Sequence, residues 1–86
     1  MAEPVICAVA RTPVGKFRGA LASYSAVELG VLAVNELLSR ADIDPASGLI
    51  DELLFGQVLQ AGVGQAPARQ VALGAGLPFS TPCTTV

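Results

Sequence analysis

The 86-residue chain contains no histidine and no tryptophan. Without histidine, these residues alone assemble no Ser-His or Cys-His pair and little zinc chemistry. Charge is scarce at 14%, and five basic against seven acidic residues leave a net charge of −2. That balance gives no electrostatic footprint for nucleic acid. No uninterrupted apolar run reaches about 18 residues, so no membrane span is expected. Glu3 and Pro4 stand where a secretory signal would carry basic residues, and no Arg- and Ser-rich amphipathic leader is visible. Cysteine is limited to Cys7 and Cys83, which make no disulfide framework. A reducing, cytoplasmic location is therefore expected.

What the chain has in quantity is apolar side chains, at 52%. That excludes intrinsic disorder. One domain at most fits this length, and its core would be marginal. Part of the apolar surface is expected to be covered by a partner or by further sequence.

The order of elements reads β-α-β-α-β, with no repeat, low-complexity tract or linker. Val5 to Ala10 is a short apolar run bounded by Pro4 and Pro13, which predicts a strand buried on both faces. Cys7 within it is expected to be a buried, inert thiol. Residues 11 to 23 hold Pro13, Gly15 and Gly19 and form a long loop. Ser25-Ala26-Val27-Glu28 is a capping box, with Tyr24 and Leu29 placed as a hydrophobic staple. Val27, Val31, Val34 and Leu38 follow at helical spacing, predicting a helix from about Ala26 to Ala41. Glu36 and Arg40 form an i, i+4 pair of favourable polarity.

Pro45 allows one turn of helix in the following connection. Glu52 to Leu59 predicts a second strand, in which Gly56 points to close backbone approach by a neighbour. Gly62 and Gly64 mark a loop. Pro67 then opens a second helix to about Gly74, since its missing N–H costs nothing in the first turn. Thr81 to Val86 is β-prone and predicts a third strand. Crossover helices between short apolar strands imply a parallel sheet.

Motifs for chemistry are sparse. Gly62-Val63-Gly64 begins like a dinucleotide fingerprint, but Pro67 stands where its third glycine belongs and no acidic residue follows at the right distance. Gly15-Lys16 lacks the upstream glycine of a phosphate-binding loop. Cys83 has no basic sequence neighbour to lower its pKa, so it is not expected to be a nucleophile. Arg11, Lys16 and Arg18 fit either a solvated loop or contact with an acidic partner or with another part of a larger enzyme. Arg69, on an otherwise apolar helix, fits solvent or a buried interface equally. No residue is assigned to catalysis, to cofactor binding or to a metal.

Three stretches in order resemble the thiolase family. They are Ala10-Arg11-Thr12-Pro13-Val14-Gly15-Lys16-Phe17 after the first strand, Gly56-Gln57-Val58-Leu59-Gln60-Ala61-Gly62 continuing to Gln65-Ala66-Pro67-Ala68-Arg69-Gln70, and Ala75-Gly76-Leu77-Pro78 leading to Thr81-Pro82-Cys83-Thr84-Thr85-Val86. The resemblance covers essentially the whole chain. It is nearest to the acetyl-CoA acetyltransferases, while longer-chain 3-ketoacyl-CoA thiolases share these stretches. One departure is Ala66, where the family usually carries asparagine, a better helix cap.

The resemblance implies two similar α/β halves, each with a mixed five-stranded sheet. Residues 1–86 would supply three strands and two helices of the first half. It further implies that the nucleophilic cysteine lies a few positions beyond Val86, with the family's histidine and second cysteine further on. The segment alone would then be inactive and bind no cofactor, while the whole enzyme would use coenzyme A thioesters. The implied partners are the remainder of a thiolase chain and further copies in a homo-oligomer. A separate possibility is a non-catalytic scaffold or dimerisation module. Gly62, Gly64, Gln65 and Arg69 are the residues expected to support the active-site and interface region, by position rather than by chemistry.

Overall fold

The computed structural model describes residues 3–86. Helix α1 spans Ala26–Arg40 and starts where the capping box puts it. Glu28 N–H donates to Ser25 Oγ at 3.0 Å, and Ser25 N–H donates back to Glu28 Oε1 at 3.4 Å. Two of the four orphan N–H groups of a helix start are thereby matched with one another's side chains. The Glu36–Arg40 pair closes at 2.8 Å with both side chains about half exposed. Such a pair contributes only a few tenths of a kcal/mol. A 3₁₀ turn at Pro45–Ser47 follows, with Asp44 Oδ1 accepting from Ala46 N–H.

Strand β1 is Leu53–Phe55, helix α2 is Pro67–Gly74 and strand β2 is Cys83–Thr85. β1 and β2 pair in parallel, Leu53 opposite Cys83 and Phe55 opposite Thr85. The ladder extends past β1 through Gln57 N–H to Val86 O at 2.7 Å. β1, α2 and β2 therefore form one β-α-β unit, and α1 packs on α2.

The core is small. Val34 and Leu38 of α1 meet Val71, Ala72, Ala75 and Leu77 from α2 and its exit. Val31, Ile43, Leu53, Phe55 and Cys83 pack around them half-buried. Two glycines set the helix separation. A Cβ on Gly30 would lie 2.8 Å from Val71 Cγ2, and one on Gly74 would lie 2.7 Å from Val31 Cγ2. Both distances are below contact, so the helices approach only because these positions lack side chains.

Four sequence expectations change. Val5 to Ala10 is extended chain with no strand ladder, and Val5, Ile6 and Val9 are largely exposed. A strand is defined by its partner, and β1 and β2 pair only with each other. The segment lies beside Leu37, Leu38, Ile43 and Ile50 across an open groove, tethered by Arg40 Nη1 to Val9 O at 2.8 Å. Cys7 is accordingly exposed. Third, the Glu52–Leu59 strand shortens to Leu53–Phe55, leaving Val58 and Leu59 in solvent. Gly56 faces no crowding, since a Cβ there would meet only Val86 O at 3.9 Å. The close approaches fall at Gly30 and Gly74 instead. The described residues thus hold two strands rather than three.

The shape records the uncovered surface. The radius of gyration is 13.7 Å, against about 12 Å for a compact chain of this length. Accessible surface is 6419 Å², against about 4,700 Å² for a compact monomer of this mass.

Candidate functional site

The glycine loop between β1 and α2 is held from several sides by glutamine carboxamides. Gln57 Nε2 donates to Leu59 O at 2.8 Å, and Gln60 Nε2 donates to Gln57 O at 3.4 Å. Gln70, in the first turn of α2, donates Nε2 to both Val63 O and Gln65 O, each at 2.8 Å. Gly62 and Gly64 have φ of +78 and +80, a region that glycine enters without steric cost. A Cβ on Gly64 would also sit 3.1 Å from Gln70 Nε2. Gln65 is exposed at the far end of this loop.

The loop delivers the chain to α2 through a strained residue. Ala66 is the N-cap, with φ +46 and no side-chain cap. Left-handed backbone costs a residue with a Cβ about 1–2 kcal/mol. An asparagine, usual in the family, is better tolerated there. The start of α2 is closed by other means. Pro67 has no N–H, Ala68 N–H donates to Thr85 Oγ1 at 3.0 Å, and Arg69 and Gln70 N–H groups donate to Ala66 O. Strand β2 therefore caps helix α2.

Arg69 turns away from the glycine loop. Its guanidinium donates through Nη1 to Thr81 O at 2.8 Å, with Cys83 Sγ at 3.8 Å, and through Nη2 to Phe79 O. Cys83 Sγ also donates to Thr81 O at 3.2 Å. This fork ties the turn after α2 back onto the helix and fixes where β2 begins. Of the four expected supporting residues, Gly62, Gly64 and Gln65 share one loop, and Arg69 serves a different segment. The residue that grips the loop is Gln70, which the sequence reading did not single out. Its only signal was a carboxamide in the first turn of the helix that follows a Gly-x-Gly pair. The basic neighbour of Cys83 was also missed, because Arg69 lies 14 residues away in sequence.

Among the described residues, no group of three or more metal-ligating side chains comes together. Nor is any helix there long and apolar enough to cross a membrane. Arg18 lies with its guanidinium 5.3 Å from the centroid of the Phe17 ring. Arg11, Lys16 and Arg18 are exposed on the loop before α1.

A parallel β-α-β unit, entered by a pinned glycine loop and flanked by an outer helix, defines a piece of an α/β protein with an open sheet. The chain belongs to the thiolase family: the family description "Thiolase, N-terminal domain" matches residues 4–86. It is 54% identical over 81 residues to acetyl-CoA acetyltransferase 1 of Arabidopsis thaliana, covering 94% of this chain and 19% of that protein. It is 56% identical over 86 residues to an acetyl-CoA acetyltransferase of Clostridioides difficile, covering 100% of this chain and 78% of that one. Among solved structures, the Acat5 thiolase from Ascaris suum in complex with coenzyme A superposes with a TM-score of 0.87 at 38% identity, covering 93% of this chain and 20% of that chain. The chain thus spans about a fifth of the Arabidopsis and Ascaris proteins.

Proposed function

We propose that this chain acts as the N-terminal part of an acetyl-CoA C-acetyltransferase. The reaction is reversible: two acetyl-CoA condense to acetoacetyl-CoA and free coenzyme A. In the thiolysis direction, an enzyme cysteine thiolate attacks the C3 ketone of acetoacetyl-CoA and the C2–C3 bond breaks. The released acetyl-CoA carbanion takes a proton from an acid group. The thiolate of a second coenzyme A then accepts the acetyl group from the enzyme thioester. These groups belong to the rest of a thiolase. The residues in hand contribute placement: the Gly62–Gln65 loop and the Arg69-held turn before β2 support the region where the nucleophile stretch would begin.

The observation that carries this reading is identity above 50%, over nearly the whole chain, to proteins named for this activity. On it, the segment alone is inactive and binds no coenzyme A, and its partners are the remainder of a thiolase chain and further copies of the whole. The uncovered apolar surface supports such partners. Two free cysteines support the reducing, cytoplasmic location proposed with it.

The test is a chimera in which this chain replaces the matching N-terminal segment of the Arabidopsis relative. Thiolysis of acetoacetyl-CoA by the chimera, with none by the 86-residue chain, is the expected result. A folded chimera without turnover, or turnover by the chain alone, would contradict the proposal. A second reading, a small non-catalytic scaffold, is favoured by one observation: the Clostridioides relative is itself a short chain. It predicts that the 86-residue chain forms a discrete, cooperatively unfolding dimer by sedimentation, and that the chimera is inactive.

A further inference from the structure

We propose that Gln70 is the positioning residue of the Gly62–Gln65 loop and, through it, of the acyl-transfer site; the second half of this statement rests on the function proposed above. A carboxamide nitrogen carries two N–H groups. Here it serves two carbonyls at the same 2.8 Å, Val63 O and Gln65 O. Those carbonyls bracket Gly64, so the two bonds hold both flanks of one residue. Gly64 leaves the carboxamide undisturbed, since a Cβ there would lie 3.1 Å from the same nitrogen and oblige it to shift by a few tenths of an ångström. The anchor itself is fixed. Gln70 sits on α2, its own N–H donates to Ala66 O at 3.2 Å, and α2 is capped by Thr85 of β2. Loop, helix start and strand end are thereby one unit, with Gln65 held at its exposed corner.

The test begins with the isotope-labelled 86-residue chain. The Gln70 Nε2 protons are expected to exchange more slowly than those of a free carboxamide, with scalar couplings across the hydrogen bonds to the carbonyl carbons of Val63 and Gln65. Exchange at the free rate, with no such couplings, would overturn the clamp without any variant having to fold.

The isosteric Gln70→Glu gives a pH signature. Its carboxylate would face two carbonyl oxygens, which disfavours the charged form and releases the loop at neutral pH. Protonation restores one donor, so loop closure should return as pH falls toward the glutamate range, about 4.3 or somewhat higher. Gln70→Met should stay released at every pH. With two hydrogen bonds lost, the open population should rise about tenfold or more.

In the chimera, both variants should lower kcat about tenfold at neutral pH, with KM for acetoacetyl-CoA little changed. Loop release with unchanged kcat would overturn the positioning role. An inactive wild-type chimera would instead count against the proposed function, and carboxamide exchange would then decide the clamp alone.

Discussion

At the scale of single residues, the informative positions are those where one atom settles a local conformation. Ala66 holds φ +46 with no cap of its own. Asparagine tolerates that backbone better, so Ala66→Asn should stabilise the chain by about 1 kcal/mol. For a chain of this length that raises Tm by about 4–8 °C, measured by thermal unfolding. A fall in Tm would mean that the left-handed backbone is not retained. Arg69 illustrates what sequence order hides. Its even choice between solvent and interface resolves into a fork on Phe79 and Thr81 carbonyls, within the chain itself. Its planar guanidinium reaches both with separate nitrogens, which a lysine ammonium cannot reproduce in the same geometry. Arg69→Lys should therefore lose about 1–2 kcal/mol by denaturant titration. An unchanged midpoint would show that the fork contributes nothing net.

At the scale of elements, what was legible is what is local. Helix α1 was visible because its cap, its periodicity and its Glu36–Arg40 pair all lie within a few residues of one another. The observed Ala26–Arg40 differs from the expectation by one residue at its end. Ser25→Ala should remove the cap and cost about 1 kcal/mol in a denaturant titration. Helix α2 was visible for the same reason, from Pro67 to Gly74. Strands depend on distant partners. Cys83–Thr85 becomes β2 because β1 lies beside it, whereas Val5–Ala10 finds no ladder despite its stronger apolar pattern. Packing glycines are equally non-local. Gly30 sits on the face of α1 that meets α2, and only the fold reveals Val71 Cγ2 and Phe55 Cζ at 2.8 and 3.0 Å from its absent Cβ. Gly30→Ala gains about 1 kcal/mol of helix propensity. Overpacking against fully buried Val71 costs about 1–3 kcal/mol. The net expectation is a lower denaturation midpoint, and a raised one would show that the helices separate freely.

At the scale of the whole molecule, the absence of histidine takes on a narrower meaning. These residues alone supply no imidazole to activate a thiol, and on the function proposed that group belongs to the remainder of a thiolase. The apolar composition is explained in the same way. The chain exposes about a third more surface than a compact monomer of its mass would. Among the described residues its sheet has two strands with helices packed on one face, whereas parallel sheets are ordinarily covered on both. Val5, Ile6, Val9, Leu54, Val58 and Leu59 are exposed around that sheet and the open groove. On the function proposed, the remainder of a thiolase covers them. The family resemblance, more than composition or periodicity, carried this conclusion, because the groups that would complete the site are not among these residues.

The claim that this chain is one part of a larger α/β enzyme is tested most directly at Val5 to Ala10. Amide exchange there should be fast in the 86-residue chain, where the segment has no ladder. It should slow by orders of magnitude in an active chimera, where further strands complete the sheet. Protection already present in the isolated chain, or fast exchange persisting in the chimera, would contradict the account.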